Sequence, residues 1–368
     1  MSGHQLPQES VHTCGHFLVG DRTELGNFPV VTIMASKYRA SLSGVVTCGS
    51  VWHCPTCAYK IAEGRRELVS RVLDAHYAAG GVAYMAAFTL PHKAFQGCAE
   101  LREAVARSWG KVLNGAPWVR AKGRFGLVGT VRALEVTHGR NGWHPHLHVL
   151  FFLRRDDPKM AAAFGRFLFK RWSRMIARAG FGKCTRQVWR FEKVRCPAQA
   201  GKYVVKWGAA GEIVYGTKKG GRTAGRSPFQ ILADLCDDED QGRPLNPRDV
   251  ALFREYAAAF KGARQLTWSR GLRELYAEDT EKTDAELAAA EDDRARLVCT
   301  ICKLGFEEIR DRDLECTLLE YVERHGWCGV IAFSAAYGVA LCYFLRSGRP
   351  KGRHRQGNHR DRQIEARV

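Results

Sequence analysis

Several things are missing from this sequence. No segment recurs at a fixed period, which excludes a solenoid or a propeller of stacked units. Met1 to Ser10 holds neither a cationic start nor an apolar run. It has no secretory signal pattern, so an oxidised, disulfide-stapled framework is not expected. Acidic side chains are short: 38 Asp and Glu stand against 57 Lys and Arg, a formal charge of +19. Such an excess suggests a polyanionic partner, with nucleic acid first, although solubility or attraction to anionic lipid would also account for it. Long uncharged runs are scarce too. Trp327 to Leu345 carries no charge and is followed by Arg346, Arg349, Lys351, Arg353 and Arg355. That length would just cross a bilayer, but Gly329, Ser334, Gly338, Tyr337 and Tyr343 dilute it. A buried pair of short helices is the expectation, and no membrane role.

Cysteine is plentiful. There are 13, an odd number, in a chain of 368 residues that is long enough for two or three domains. Cys54-Pro55-Thr56-Cys57 is a CxxC knuckle, Cys48 lies shortly upstream, and Cys14 supplies a fourth thiolate. A closed tetrahedral Zn²⁺ site of four Cys is the economical assignment, with His16 or His53 able to replace one ligand. A closed site of this kind is structural and holds a small lobe together. Trp52, His53, Lys60, Arg65 and Arg66 would let the lobe touch DNA, or would simply face solvent. Cys299, Cys302, Cys316 and Cys328 offer a second set, but Cys299-Thr-Ile-Cys302 reads as apolar and helical, which argues against metal there.

The most informative stretch is Asn141-Gly142-Trp143-His144-Pro145-His146-Leu147-His148, followed by an apolar run to Leu153. Asn-Gly predicts a hairpin, and Leu127 to Thr137 alternates as its first arm. Like parity on a strand puts His144, His146 and His148 on one face. If the loop runs from Gly139 to Gly142, Glu135 pairs across from His146; if it is Asn141-Gly142 alone, Glu135 faces His148. Either register sets a carboxylate beside two imidazoles on a rigid sheet. Two nitrogens and an oxygen with open positions suit a catalytic divalent metal.

Around the hairpin, periodicity predicts helices over 58–77, 101–113, 159–179 and 247–260, and shorter helical segments over 272–276 and 278–296. Val82 to Leu90 predicts a buried strand and Cys184 to Lys193 a further one. Asp237-Asp238-Glu239-Asp240 reads as a surface turn. Pro197 suits the first turn of a helix on which Tyr203 and Lys206 share a face, with Gln199 one turn earlier. A phenol is a poor nucleophile at neutral pH; a neighbouring ammonium and a metal-bound phosphate would both favour phenolate attack. Beyond it, Lys218, Lys219, Arg222 and Arg226 lie in a Gly-rich basic loop suited to a sugar-phosphate backbone.

Phe88-Thr89-Leu90, His146-Leu147-His148 after Asn-Gly-Trp-His-Pro, Tyr203 with Lys206, and the upstream Cys48/Cys54/Cys57 knuckle together make the chain resemble the HUH endonuclease superfamily. Within it, the chain resembles the rolling-circle plasmid replication initiators, of the single-Tyr type with an amino-terminal Cys-rich zinc lobe. The likeness runs from about Cys14 to about Tyr276. It implies an α+β fold: a central antiparallel sheet flanked by helices, with the zinc lobe before it and a helical region after it. The divisions expected are a zinc lobe over 10–66, an endonuclease domain over 67–276 and a charged linker over 277–296. A small helical module over 297–345 and a basic, disordered tail over 346–368 follow.

The resemblance also implies an activity: metal-dependent nicking at a plasmid double-strand origin, presented as a hairpin or single strand, and later rejoining. Mg²⁺ or Mn²⁺ held by His146, His148 and Glu135 would polarise the scissile phosphate, and Zn²⁺ would sit on Cys14, Cys48, Cys54 and Cys57. Tyr203 would form a 5′-phosphotyrosyl link while Lys206 positions the phosphate. The freed 3′-OH would serve host DNA polymerase and helicase in the cytoplasm, and a second copy could make a homodimer. Related initiators carry a Glu four residues before the Tyr to end a round; Gln199 stands there, and it cannot act as a base. Tyr215, Glu192 or a partner subunit would have to replace it. The competing expectations are a transposase of the same superfamily, which typically brings two Tyr on one helix, a zinc-dependent DNA-binding regulator without chemistry, and a metal-dependent phosphodiesterase acting through water.

Overall fold

The computed structural model describes residues 10–19, 30–36, 39–195, 225–277, 281–290, 295–339 and 343–344. In chain order the first elements are β1 (Val30–Ser36), β2 (Arg39–Ser43), α1 (Pro55–Ala78), β3 (Val82–Phe88), α2 (Cys98–Val112), α3 (Ala116–Arg124), β4 (Leu127–Gly139) and β5 (Gly142–Leu153). There follow α4 (Pro158–Arg178), β6 (Phe191–Lys193), α5 (Pro228–Asp240), α6 (Pro247–Phe260), β7 (Leu266–Trp268) and α7 (Asp284–Ala289). Last come β8 (Arg296–Cys302), α8 (Lys303–Asp311), α9 (Glu315–His325), α10 (Trp327–Tyr337) and β9 (Tyr343–Phe344). The protein is α+β, with antiparallel sheets flanked by helices.

The elements form two compact units. One is Met1–Phe17 with Val46–Glu291; the other is Leu18–Val45 with Asp292–Val368. This corrects two expected boundaries. The lobe over 10–66 is interrupted, because 18–45 leaves it to build β1 and β2 of the second unit. The module over 297–345 is not purely helical: its sheet runs β2-β1-β8-β9, and α8, α9 and α10 bury Phe306, Leu318 and Phe333 with Ile33 and Ile301. Cys299 pairs with Ile33 and is fully buried in β8, so the apolar CxxC there belongs to a strand. Enrichment in β-branched residues (Val298, Thr300 and Ile301) is the physical reason. Among the described residues no helix is long and apolar enough to cross a membrane; α10, inside the uncharged run, has 11 residues.

The first unit carries the larger sheet, in the order β6-β3-β5-β4-β7, antiparallel throughout. Parity splits β5 between two cores. Leu147, Val149, Phe151 and Leu153 pack with Phe164 and Trp172 of α4, Leu101 and Val105 of α2, and Phe253 of α6. Leu150 and Phe152, on the opposite face, pack under Val69, Val72 and Leu73 of α1. That second face is apolar only along the later half of β5; its earlier half carries the histidines.

Four smaller expectations also change. Of Cys184 to Lys193, only Phe191–Lys193 is strand, preceded by a 3-10 turn at Arg186–Val188. The acidic run at 237–240 ends α5 as helix, and 271–276 is a series of turns. Within 278–296, helix is confined among the described residues to α7, capped by Thr283 and Glu286. Leu287 of α7 packs on Gly64, and Asp284 pairs with Arg65, so α7 is part of the first unit.

Candidate metal centre

The hairpin closes on the pair Gly139 and Gly142, with Arg140 and Asn141 as its turn. Gly142 takes the left-handed conformation at φ +83°, and a Cβ there would lie 2.9 Å from the Ala94 carbonyl oxygen, so glycine is required twice over. This register sets Glu135 directly opposite His146, the first of the two alternatives. His148 lies between Ala133 of β4 and Ala87 of β3, two small neighbours that leave its ring uncovered from the sides.

The three side chains converge. Glu135 Oε2 is 3.0 Å from His146 Nε2 and 3.2 Å from His148 Nε2. Side-chain exposures of 17% for Glu135, 13% for His146 and 21% for His148 leave an ion access to a largely desolvated site. Burial would push the Glu135 carboxyl up, but hydrogen bonds from both imidazoles and their charge hold it at about 2. Burial likewise disfavours a charged His146; its hydrogen bond to Glu135 outweighs this and the net shift is upward. His146 Nδ1 donates to the His144 carbonyl at 3.1 Å, which fixes the ring and aims Nε2 at the carboxylate. Glu135 Oε1 is buried with no hydrogen-bond partner among the described residues, an acceptor that a cation would satisfy. Two imidazole nitrogens and a carboxylate oxygen, mutually within 4.8 Å, fit a divalent cation with open positions.

Cys14, Cys48, Cys54 and Cys57 form the other metal-capable cluster among the described residues. Their sulfurs approach at 3.5 Å (Cys14–Cys57), 3.6 Å (Cys14–Cys54) and 3.7 Å (Cys48–Cys57). A tetrahedron with Zn–S arms of about 2.3 Å has edges of about 3.8 Å, so the four can hold zinc with little adjustment. Cys54 is also the N-cap of α1, accepting from the Cys57 amide, and helix N-termini favour thiolates. His16 and His53 are not in the cluster; His53 Nε2 bonds to the Ala257 carbonyl at 3.0 Å. Nor does the lobe stand alone. Trp52 packs on Phe260 with ring centroids 4.7 Å apart, and Tyr256 Oη donates to the Trp52 carbonyl, so α6 completes its core.

The remaining expected residues divide. Tyr203, Lys206, Gln199, Tyr215, Lys218, Lys219 and Arg222 lie outside the described residues. Arg226 is held by Asp249 at 2.6 Å and Asp234 at 2.6 Å, and its backbone pairs with His138 at the hairpin tip. Cys299, Cys302, Cys316 and Cys328 do not form a cluster. Two residues near the site escaped sequence reasoning. His92 Nε2 lies 2.8 Å from His144 Nδ1, and Glu255 accepts from Trp143 Nε1 and from the Cys98 amide, tying the start of β5 to α2 and α6. Both contacts are long-range in sequence, and no local spacing announces them.

A four-thiolate cluster that could hold zinc and a separate cluster of two imidazoles and one carboxylate on an antiparallel sheet, able to hold a metal ion, are the two metal-capable groups among the described residues. Among known proteins, the chain is 26% identical over 356 aligned positions to a protein named Protein rep from Streptomyces lividans, with 78% of each chain covered. It is 27% identical over 152 positions to a neomycin resistance protein from Streptomyces cyanogenus, covering 33% of this chain and 35% of that one. No protein-family model and no solved structure matches.

Proposed function

We propose that the chain is a rolling-circle plasmid replication initiator that nicks origin DNA through a phosphotyrosyl intermediate. The observation that carries this reading is the Glu135–His146–His148 cluster on the central strands of the sheet; the Cys cluster beside α1 and the similarity to Protein rep support it. A divalent cation, Mg²⁺ or Mn²⁺, bound to those three groups would supply polarisation of a phosphate oxygen. His146, fixed by the His144 carbonyl, and His148 hold their Nε2 lone pairs in place, and Glu135 contributes charge. Tyr203 Oη attacks the scissile phosphorus, the bond to the 3′ oxygen breaks, and that oxygen leaves as a hydroxyl. The product is DNA joined to Tyr203 through its 5′ phosphate, with a 3′-OH for host polymerase and a strand for host helicase. Lys206 positions the phosphate and offsets its developing charge. Since the phosphodiester energy is retained in the tyrosyl link, rejoining needs no nucleotide. Glu192 pairs with Met85 on the sheet face that bears His148, which favours it as the residue ending a round in place of Gln199.

The test is nicking of supercoiled plasmid carrying the origin. Tyr203→Phe should abolish nicking and leave DNA binding intact, and His146→Ala should remove Mg²⁺- or Mn²⁺-dependent cleavage. Full nicking by Tyr203→Phe would overturn the assignment. A wild-type protein that binds the origin and never nicks it would be a zinc-dependent regulator instead.

A further inference from the structure

The stretch from α4 to the start of β6 carries charge of one sign. Between Asp157 and Glu192 there are nine Lys and Arg and no carboxylate. Helical periodicity turns Phe164, Leu168 and Trp172 of α4 into the core, which leaves the cations outside. Arg166, Lys170, Arg174, Lys183, Arg186 and Arg190 are exposed, and none has a carboxylate partner among the described residues. Arg171 differs, because it donates to the carbonyls of Lys111, Val112 and Asn114 and ties α4 to the end of α2. The carboxylates just before the stretch are engaged as well: Asp157 caps α4 through the Met160 amide, and Asp156 pairs with Lys193.

Trp189 divides this surface into two hollows. On one side a cavity of about 180 Å³ is walled by Leu90, Phe169, Trp172, Thr185 and Trp189. On the other, a hollow of about 290 Å³ is bounded by Tyr84, Arg166, Arg186 and Phe191. Trp189 stands edge-on to Phe88 at 5.1 Å and lies 5.6 Å from Phe169, so packing holds the dividing wall, and Arg186 sits over the Phe169 ring at 5.9 Å. Trp189 and Phe191 pack in the same core as Phe151 and Phe164, on the face of the sheet opposite Glu135, His146 and His148. The smaller cavity is below the ~300–1,000 Å³ typical of sites for whole small molecules and suits one large side chain. The Thr89 carbonyl on its inner wall already accepts from Trp172 Nε1 at 2.7 Å and from the Cys184 thiol. A nucleobase placed there would bury amide and amine groups without partners, whereas an apolar side chain brings none to bury. The surface thus asks for an occupant that is apolar at one point and anionic around it.

We propose that this groove docks an acidic protein segment, with one large apolar side chain seated beside Trp189 and its flanking carboxylates on Arg186, Lys183 and their neighbours. Guanidinium groups meet carboxylates through paired hydrogen bonds, and the uncompensated field steers an acidic partner to this face. Docking there leaves the face of Glu135, His146 and His148 open. The groove shares no residue with that cluster, so the proposal stands whether or not the protein nicks DNA.

The probe is a short fluorescein-labelled peptide of aspartates around one phenylalanine, with an otherwise identical peptide carrying alanine as control. Full-length, zinc-loaded protein without added Mg²⁺ or Mn²⁺ is titrated against each and read by anisotropy. The phenylalanine peptide should bind roughly five- to thirtyfold more tightly than the control, and more weakly as salt rises. Trp189→Ala should reduce its affinity to that of the control peptide. Thr185→Trp, at an exposed position on the cavity wall, should do the same without disturbing the core, which decides the matter if Trp189→Ala fails to fold. Arg186→Glu combined with Lys183→Glu, both exposed, should weaken both peptides by about threefold or more. Equal affinity for the two peptides would overturn the proposal, as would unchanged affinity in Thr185→Trp or in the charge-reversed variant. Oligothymidylate that displaces the peptide and itself loses affinity in Thr185→Trp would assign the groove to nucleic acid and overturn it too.

Discussion

Glu135→Gln removes one charge from the candidate metal centre and leaves its shape nearly unchanged. Burial raises the Glu135 carboxyl and the His146 and His148 contacts lower it, with a net fall from the ordinary 4.5 to about 2. That difference corresponds to about 3 kcal/mol favouring the ionised form. The same contact raises His146 against the effect of its burial, so this free energy belongs to the carboxylate–imidazole contact and is counted once. The signs follow from linkage. Glu135, depressed on folding, stabilises fully above the unfolded value near 4.5 and loses that contribution as pH falls toward about 2. His146, raised on folding, stabilises fully below the unfolded value of 6.5 and loses that contribution as pH rises through its higher folded value. Without Mg²⁺ or Mn²⁺ but with zinc in place, the wild type should exceed Glu135→Gln in stability most between about pH 4.5 and 6.5. The expected gap is about 1–3 kcal/mol, since the amide keeps part of the hydrogen bonding. Urea unfolding of both proteins across pH measures it, and other carboxyls cancel in the difference. Mn²⁺ affinity, by calorimetry, should run the other way on the alkaline side. It rises with pH because the cation displaces the proton on His146 Nε2, and it falls tenfold or more in Glu135→Gln. A stability gap independent of pH would refute the ion pair and the reasoning built on it.

Two further perturbations test the frame around the site. Cys54→Ser removes a thiolate and weakens the cap of α1, so bound zinc should fall by about one equivalent and thermal stability with it; zinc retained at the wild-type level would refute the four-thiolate assignment. Arg226→Ala leaves Asp249, only 8% exposed in its side chain, without its two guanidinium bonds, at a cost of about 1–3 kcal/mol by urea unfolding, and Asp249→Asn added to it should restore part of the loss. A variant of unchanged stability whose DNA affinity has become less salt-dependent would instead assign Arg226 to phosphate contact.

The convergence of Glu135, His146 and His148 was legible in the sequence because it depends on strand parity and one turn. His146, His148 and Glu135 are set by a period of two and by one hairpin, and the two registers allowed by Asn141-Gly142 both brought a carboxylate to an imidazole. The choice between them turned on where the chain accepts a left-handed residue. Asn-Gly suggested the turn itself, whereas Gly142 holds that conformation and Asn141 does not. The Cys cluster was legible from ligand spacing for the same reason: three of its members are local, and the fourth had few rivals.

What escaped is what depends on distant partners. Val30–Ser36 pairs with the neighbouring β2 on one side but completes its sheet with β8, far along the chain, and the CxxC within β8 reads as a pair of cysteines before it reads as part of a strand. Trp189 shows the same limit. In sequence it is one aromatic in a basic run that reads as a strand. In the fold, β6 pairs no further than Ala86, and Trp189 instead packs edge-on to Phe88 and against Phe169 of α4, contacts that no local spacing announces.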